Sequence, residues 1–292
     1  MKFCPSSLLL ALLLLCAPLA SAQQSGREKV IEALERDGCA MLDAGGVKIC
    51  KYDYRSGGQN VESISFQPPG AGAFPALVLV PGYQRSARDY IPLGAMFARA
   101  GFACLAVTQP GFGKSEGKPD FVGPRTINAL IEGFRKFLRE PYVDAKRMGL
   151  FGYSRGAMAA SLLAVQLKEI RAAVFGGGIY DFKKAYDEIK IEGIRKNMEE
   201  ETGLTKAAIR ERSSILRMKE LRCPVLILHG EKDENAPTSQ ALLLRDRLTA
   251  LKKEFEIKIF PDKGHGLEMQ DVFASSLDFL KRKLAVSPPP VK

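Results

Sequence analysis

Short runs of four or five apolar residues, separated by longer helix-forming stretches, constrain the fold of this chain most strongly. "ALVLV" at residues 76–80 and "VLILH" at residues 225–229 leave neither face of either strand suited to contact with water. Strands buried on both faces are typical of parallel sheets that helices cover above and below. This pattern predicts eight strands, at residues 47–54, 61–67, 76–80, 102–108, 148–151, 172–175, 225–229 and 255–260.

Helices are predicted between these strands, at residues 89–100, 125–140, 155–168, 238–252 and 268–284. The alternation of strand and helix indicates an α/β fold, with a mostly parallel eight-stranded sheet and helices on both faces. In such folds, binding and catalytic sites form in the loops beyond the carboxyl ends of the strands. A candidate site residue should therefore follow a predicted strand.

Residues 180–222 interrupt this alternation. They are too many for an unstructured loop in a compact domain, and both "KKAYDEIKIEGIRKNMEEE" and "LTKAAIRERSSILRM" have the composition of helices. We expect a small helical cap, inserted above the carboxyl edge of the sheet, that shapes a substrate pocket. The alternative, a surface excursion without contact to the site, stays open.

The first 22 residues have the layout of a secretory signal peptide, with a lysine, an apolar run and the small residues Ala20, Ser21 and Ala22. We expect cleavage after Ala22, export to the periplasm or the medium, and no stable membrane insertion of the mature chain. The α/β domain would then span residues 23–284. Residues 285–292, which end in "SPPPVK", are expected to be a disordered tail.

Four cysteines remain after the predicted cleavage. In an oxidising compartment Cys39 and Cys50 are candidates for a disulfide, although sequence alone does not give the connectivity. Cys104 and Cys223 lie in strand-like runs, where buried free thiols are expected. The cysteines and histidines do not have the spacing of zinc ligands, so we expect neither a metal nor another cofactor.

The formal net charge is +10, but the basic residues are interspersed with acidic ones, as in "DEIKIEGIRKNMEEE". Nucleic-acid binding would require a concentrated basic stripe, so this pattern predicts solvated helix surfaces and no nucleic-acid partner.

The segment "LFGYSRGAMAA" at residues 150–160 is a candidate nucleophile site. Ser154 stands between a predicted strand and a predicted helix, the position of the nucleophile in a strand-to-helix elbow. Gly152 and Gly156 would remove side chains that collide with neighbouring backbone in such a turn. The helix dipole and the backbone N–H of Arg155 would then face an oxyanion formed on the substrate.

A serine hydroxyl needs a base to take its proton as it attacks, and the chain has two histidines. His265, in "FPDKGHGLE", follows the predicted strand 255–260 and is flanked by glycines that leave the ring accessible. His229 ends a buried strand, so we interpret it as structural. These positions make His265 the predicted base.

The base in turn needs a carboxylate that fixes its tautomer. Asp233 follows strand 225–229 and emerges at the same edge as Ser154 and His265, which makes it the predicted acid. The order serine, acid, histidine is that of the α/β-hydrolases. The neighbouring carboxylates Glu231, Glu234 and Asp262 are expected to be solvated or badly placed. Asp181 is the fallback acid.

A second oxyanion donor is expected in the loop "VPGYQRSARDY", where Gly82 permits close backbone approach and the Tyr83 N–H is the predicted donor. The Tyr83 hydroxyl is the alternative donor. The guanidinium groups of Arg85 and Arg155 either face the pocket, where they would favour an anionic substrate group, or are solvated.

Five segments together make the chain resemble the α/β-hydrolase superfamily, in the branch of the dienelactone hydrolases and the catalytic domains of prolyl-oligopeptidase-like peptidases. They are "FPALVLVPGY", "GFACLAVTQPGFGKSEG", "RMGLFGYSRGAMAA", "CPVLILHGEKDENAP" and "FPDKGHGLE". The resemblance implies that Ser154, Asp233 and His265 are the catalytic serine, acid and histidine, which is the assignment that their positions predict. Gln109 departs from the family pattern, which often has an acidic residue before the Arg-Gly turn.

The resemblance implies a serine hydrolase that forms an acyl-enzyme. About fifty residues lie between the predicted cleavage site and the core, too few for the β-propeller that gates larger peptidases. We therefore expect a small ester or lactone substrate first and a short peptide second. An inactive binding module on the same fold is a third hypothesis, and the oligomeric state stays open.

Overall fold

The computed structural model describes residues 26–42 and 46–284. The predicted signal peptide, residues 1–22, and the predicted tail, residues 285–292, lie outside the described residues. The described part begins with residues 26–37, which are helical and are called α1. Within the described ranges, no helix combines the length and the apolar character needed to cross a membrane.

The main sheet has nine strands, in the order β1-β2-β5-β7-β6-β8-β9-β10-β11, and β3 and β4 form a separate hairpin. The prediction of eight strands is therefore wrong by one. The strands are β1 (Cys39–Leu42), β2 (Val47–Lys51), β3 (Tyr54–Ser56), β4 (Gln59–Val61), β5 (Ser63–Gln67), β6 (Phe74–Val80), β7 (Ala103–Val107), β8 (Val143–Tyr153), β9 (Ile170–Gly176), β10 (Val225–Gly230) and β11 (Phe255–Phe260).

One local feature accounts for the separate hairpin, and the strand β1 accounts for the ninth strand of the main sheet. The predicted strand 47–54 divides into β2 and β3 because the chain leaves the main sheet near Asp53, whose carboxylate accepts a hydrogen bond from the Ser63 N–H at 2.9 Å. The short edge strand β1, with the sequence CAML, pairs antiparallel with β2 and is only partly buried, and its apolar run of four residues is too short to distinguish a strand from a helix segment.

Strands β7, β6, β8, β9, β10 and β11 run parallel, and β1, β2 and β5 extend the sheet as antiparallel neighbours. The mostly parallel sheet that the sequence predicts is confirmed. Strand β6 shows why its residues are all apolar: Ala76, Val78 and Val80 pack into one core, and Leu77 and Leu79 pack into the other.

Helices cover both faces of the sheet. They are α1, α2 (Ile91–Arg99), α3 (Pro124–Phe137), α4 (Arg155–Gln166), α5 (Phe182–Glu188), α6 (Glu192–Thr202), α7 (Lys206–Arg212), α8 (Ser239–Ala250) and α9 (Met269–Leu284), with 3₁₀ turns at Ala87–Tyr90 and Ser214–Glu220.

The segment 180–222 folds into α5, α6, α7 and the second 3₁₀ turn, and is called the cap below. Asp181 begins α5 by accepting a hydrogen bond from the Lys184 N–H at 3.0 Å. Gly203 ends α6 in the left-handed conformation, φ 61°, and the Thr205 hydroxyl then accepts from the Ala208 N–H to begin α7. These residues at the helix ends explain why the segment forms three short helices although its charges alternate in sign.

The four cysteines of the described chain fall into two kinds. Cys39 and Cys50 face each other in the β1–β2 ladder and form a disulfide. Cys104 and Cys223 are buried free thiols, and burial raises the pKa of the Cys223 thiol to about 12. Buried, protonated thiols of this kind are chemically inert, which fits a packing role.

Candidate active site

The turn between β8 and α4 holds Ser154 in a backbone conformation that side chains rarely adopt, with φ 57° and ψ −125°. A Cβ on Gly152 would lie 2.2 Å from the Gly156 carbonyl oxygen, and a Cβ on Gly156 would lie 1.9 Å from that of Val80. Both glycines are therefore required by backbone contacts. The turn presents the serine at the carboxyl edge of the sheet, as the sequence predicts for the fold.

The structure brings Ser154, His265 and Asp233 together, although 111 positions separate the first two along the chain. His265 Nε2 lies 2.8 Å from Ser154 Oγ, and His265 Nδ1 lies 2.8 Å from Asp233 Oδ2. The three residues come from the loops after β8, β11 and β10. A hydroxyl, an imidazole and a carboxylate in this line can move a proton from the serine to the histidine.

The backbone of its own loop fixes the Asp233 carboxylate. Oδ1 accepts hydrogen bonds from the Asn235 and Ala236 N–H groups, at 3.0 and 2.9 Å, which leaves Oδ2 directed at the imidazole. The side chain is 1% exposed. Such a carboxylate is shielded from water and held in one orientation.

The rival carboxylates lie elsewhere. The Asp262 side chain is 79% exposed and forms an ion pair with Lys232 at 2.6 Å, and Asp181 caps α5. Glu231 is exposed and accepts a hydrogen bond from the Asp262 N–H, and Glu234 is exposed. Among these residues Asp233 is the one that reaches His265.

His229 lies behind the carboxylate, at the end of β10. Its Nε2 is 2.7 Å from the Ala236 carbonyl oxygen and 3.4 Å from Asp233 Oδ2, so the ring contacts the loop that holds the acid. The ring is fully buried, and burial lowers the pKa of His229 below its ordinary value. A neutral ring with its proton on Nε2 donates to this loop.

Tyr153 holds the histidine loop and was not predicted from the sequence. Its hydroxyl donates to the His265 carbonyl oxygen at 2.5 Å and accepts from the Leu267 N–H at 3.1 Å. Burial raises the pKa of Tyr153 to about 12, so the hydroxyl keeps its proton at neutral pH. No local pattern marks this role, because the two partners lie 112 and 114 positions away.

The loop after β6 lies against the nucleophile. A Cβ on Gly82 would stand 3.3 Å from the Ser154 Cβ, which shows how closely the backbone before Tyr83 approaches the serine. Gln109 is buried and donates to the Pro81 carbonyl oxygen at 2.7 Å, so the residue that departs from the family pattern fixes this loop. Arg155 begins α4, where the first amide groups have no acceptor within the helix.

The guanidinium group of Arg155 is buried rather than solvated, and the cap neutralises it. Glu201 on α6 accepts two hydrogen bonds from Nη1, at 2.9 and 3.1 Å, and one from Nη2 at 3.1 Å. The group also lies 4.0 Å from the Phe121 ring centroid and 4.5 Å from that of Tyr83. Burial lowers the pKa of Arg155 and Glu201 opposes this effect, while arginine's ordinary pKa is high enough to keep the group charged.

The other arginine considered from the sequence, Arg85, is an exposed residue. Its side chain is 68% exposed and lies 4.0 Å from the Asp89 carboxylate. It lines the edge of a cavity beside the serine without being enclosed in it.

Two cavities meet at Ser154. The cap cavity, about 560 Å³, lies between the serine and α6 and is lined by Arg155, Met158, Ile179, Ile191 and Ile194 among others. The histidine cavity, about 530 Å³, lies on the other side and is lined by Tyr90, Leu93, His265, Leu267 and Val272 among others. Tyr83 lines both.

An α/β sheet with a serine, a histidine and a buried aspartate aligned at its carboxyl edge defines the class of the serine hydrolases. The model of the prolyl oligopeptidase family matches residues 119–287, more than half of the chain. The chain belongs to this family.

Three similar proteins place the chain among known sequences and structures. An uncharacterized peptidase of Bacillus subtilis, YtmA, is 29% identical over 216 residues, which are 72% of this chain and 83% of that protein. Pyrococcus horikoshii acylaminoacyl peptidase has a TM-score of 0.73 at 22% identity, over 84% of this chain and 43% of that chain. A Mycobacterium tuberculosis puromycin-hydrolyzing peptidase has a TM-score of 0.75 at 20% identity, over 87% of this chain and 42% of that chain.

These comparisons differ in what they cover. The chain spans most of the length of YtmA but less than half of the length of each of the two solved structures. At this level of identity, the structural likeness establishes the α/β-hydrolase fold.

Proposed function

We propose that this protein is a serine peptidase that cleaves short peptides or aminoacyl amides through an acyl-enzyme on Ser154. The observation that carries the proposal is the hydrogen-bonded line from Ser154 Oγ through the His265 ring to Asp233, with 2.8 Å at each junction. Family membership and three relatives named as peptidases support the peptide bond as the target.

In the first step, Ser154 Oγ attacks the substrate carbonyl carbon while His265 Nε2 takes the hydroxyl proton. Asp233 keeps the ring in the tautomer with a proton on Nδ1 and stabilises the imidazolium. His265 then donates its proton to the leaving nitrogen, and the C–N bond breaks. Water attacks the acyl-enzyme with His265 again as the base, which releases the acid and restores Ser154.

The negative charge on the carbonyl oxygen needs donors that are already in place. We assign these roles to the backbone N–H groups of Arg155 and Tyr83, because Arg155 begins α4 and Tyr83 follows the glycine that touches Ser154. The positive end of the α4 dipole lies at the same point. Removing one such donor typically costs about 3 kcal/mol of transition-state stabilisation.

The sequence-based preference for an ester or lactone came from the short segment before the core. YtmA weakens that argument, because this chain aligns with 83% of a protein that is nevertheless named a peptidase. Ester cleavage is a second activity of the same machinery, since an alkoxide leaves more easily than an amine. We therefore place activated esters among the useful probes rather than the natural substrates.

Cavity size supports short substrates. Cavities of about 560 and 530 Å³ on the two sides of Ser154 suit small ligands, and the cap lies over one of them. We expect cleavage of small amides and peptides, and no cleavage of a folded protein.

The test is labelling by a fluorophosphonate probe, followed by assays on matched esters and aminoacyl amides. We expect stoichiometric labelling of the wild-type protein and none of Ser154→Ala. The variant should fold normally and lose turnover by several orders of magnitude. Unchanged labelling or turnover in Ser154→Ala would contradict the assignment.

The same assay separates a peptidase from an esterase and from an inactive binding module. A peptidase cleaves both the amide and the ester, an esterase cleaves the ester alone, and a binding module is neither labelled nor active.

A further inference from the structure

We propose that Glu201 makes the cap cavity selective for neutral, apolar acyl groups by neutralising Arg155. The inference rests on the proposed function, because it concerns which part of the substrate each cavity receives. It adds a residue of the cap, distant from Ser154 in sequence, that determines specificity.

The position of His265 indicates which part of the substrate each of the two cavities receives. The histidine must give its proton to the leaving atom, so the leaving group has to lie on the side of the serine where the imidazole is accessible. Of the two cavities that meet at Ser154, His265 lines the histidine cavity and not the cap cavity. The leaving group therefore occupies the histidine cavity, and the acyl group occupies the cap cavity.

The apolar lining of the cap cavity suits an aliphatic or aromatic acyl group. Three isoleucines and a methionine form much of the wall: Ile179, Ile191, Ile194 and Met158. Burial of apolar substrate surface against them would supply binding free energy without directional bonds.

The one buried charged group in this wall is the Arg155 guanidinium, which is 5% exposed. Without a partner it would attract an anionic acyl group, since a guanidinium pairs readily with a carboxylate. Glu201 is already that partner, since its carboxylate accepts three hydrogen bonds from Arg155 and one at 2.6 Å from the Phe121 N–H. Glu201 does not line the cavity itself but pairs with Arg155, which does, so the hydrogen-bonding capacity that a substrate carboxylate would use is already taken.

The other charged residues of the wall do not alter this balance. Lys196 and Glu200 lie 3.7 Å apart at the rim, with 68% and 63% of their side chains exposed. Water screens such a pair, so it contributes little to selection. The buried pair Arg155–Glu201 therefore sets the charge preference of the cavity.

The test compares two p-nitrophenyl esters of similar shape, the 5-methylhexanoate and the glutarate monoester, whose acyl groups end in an isopropyl group and a carboxylate. In the wild-type protein we expect kcat/KM to favour the neutral ester by about 10-fold or more. Glu201→Gln keeps the shape but removes the charge, and should shift the ratio toward the glutarate ester by about 10-fold or more. The shift should diminish at high salt.

Glu199→Gln is the matched control, because it makes the same change on an exposed position of the same helix. Glu199 accepts a hydrogen bond from the Tyr186 hydroxyl and makes no bond to Arg155, so the ratio should stay within about 2-fold of wild type. Fluorophosphonate titration of each protein gives the fraction of active sites and corrects for misfolded material.

The outcomes separate the two proposals. A wild-type preference for the glutarate ester would overturn the role of Glu201 even if Glu201→Gln failed to fold, and so would an unchanged ratio in a folded Glu201→Gln. Turnover that does not depend on Ser154 would overturn the proposed function and this inference with it. Ser154-dependent turnover with the expected ratios supports both.

Discussion

His229 supports the acid of the site through the loop that carries it. The ring donates to the Ala236 carbonyl oxygen, and the Ala236 N–H in turn donates to Asp233 Oδ1. His229→Phe removes the donor and leaves a buried carbonyl unpaired, which typically costs about 1–3 kcal/mol. We also expect kcat to fall by about 10- to 100-fold with little change in KM, because a misplaced Asp233 orients His265 poorly.

Glutamine at the same position is the conservative variant. Its amide nitrogen can occupy the place of His229 Nε2, so His229→Gln should recover much of the stability and of kcat. Equal loss of kcat in both variants would contradict a role for the Ala236 hydrogen bond.

The lowered pKa of His229 also predicts a pH dependence of stability. Below about pH 6.5 the unfolded chain binds a proton on this ring while the folded chain does not, so the free energy of unfolding falls as the pH falls. His229→Gln lacks this contribution. Urea unfolding measures the difference in the free energy of unfolding between wild type and His229→Gln. We expect this difference to be smaller at pH 5.5 than at pH 7.5, by up to about 1 kcal/mol. Parallel pH curves would show that burial does not disfavour the charged ring.

At the scale of the elements, the β8–α4 elbow depends on the absence of a side chain at position 156. Gly156→Ala would place Cβ 1.9 Å from the Val80 carbonyl oxygen, so β6 and α4 would have to separate. We expect a loss of about 3 kcal/mol or more in the free energy of unfolding.

Gly193→Ala is the control for that substitution. A Cβ at position 193 meets nothing within 4 Å, and the residue lies in α6, so alanine should stabilise by a few tenths of a kcal/mol. Urea unfolding midpoints measure both changes. A Gly156→Ala variant as stable as the wild type would contradict the close backbone contact at the elbow.

The elements that the sequence predicts well are those with a strong local pattern. Strand β11 lies at its predicted residues, and both Ser154 and its flanking glycines stand at the predicted turn. The alternation of elements also placed Asp233 and His265 at the correct edge. A parallel sheet brings its carboxyl ends together, so the convergence of these loops follows from topology.

The contacts that the sequence does not predict join elements far apart in the chain. Glu201 reaches Arg155 across 46 positions, and Tyr153 reaches the His265 loop across 112. Such pairs depend on how the cap and the loops pack, for which no periodicity gives a signal. The partner that neutralises Arg155 could therefore be identified only from the fold.

At the scale of the whole molecule, ion pairs fasten α1 to the edge of the histidine cavity. Arg27 pairs with Asp89 at 2.9 Å, and Glu35 pairs with Lys114 at 2.9 Å and with Arg88. Arg88 continues to the buried Glu62 at 2.5 Å. The segment before the sheet is thus tied to the 3₁₀ turn Ala87–Tyr90, whose Asp89 and Tyr90 line that cavity.

The Cys39–Cys50 disulfide stabilises the same end of the molecule, and it fits our proposal that the chain is exported to an oxidising compartment. The bond closes a loop of 11 positions, for which the chain-entropy model gives about 3 kcal/mol of stabilisation.

We expect a reducing agent, or the double change Cys39→Ser and Cys50→Ser, to lower the melting temperature by several degrees. Turnover at 25 °C should persist, because β1 is the outer strand of the sheet and Ser154 follows β8, which lies five strands away from β1. The control is the double variant with and without reductant: Cys104 and Cys223 are buried free thiols, so its melting temperature should not change. A reductant effect of equal size in the double variant would show that another thiol is responsible.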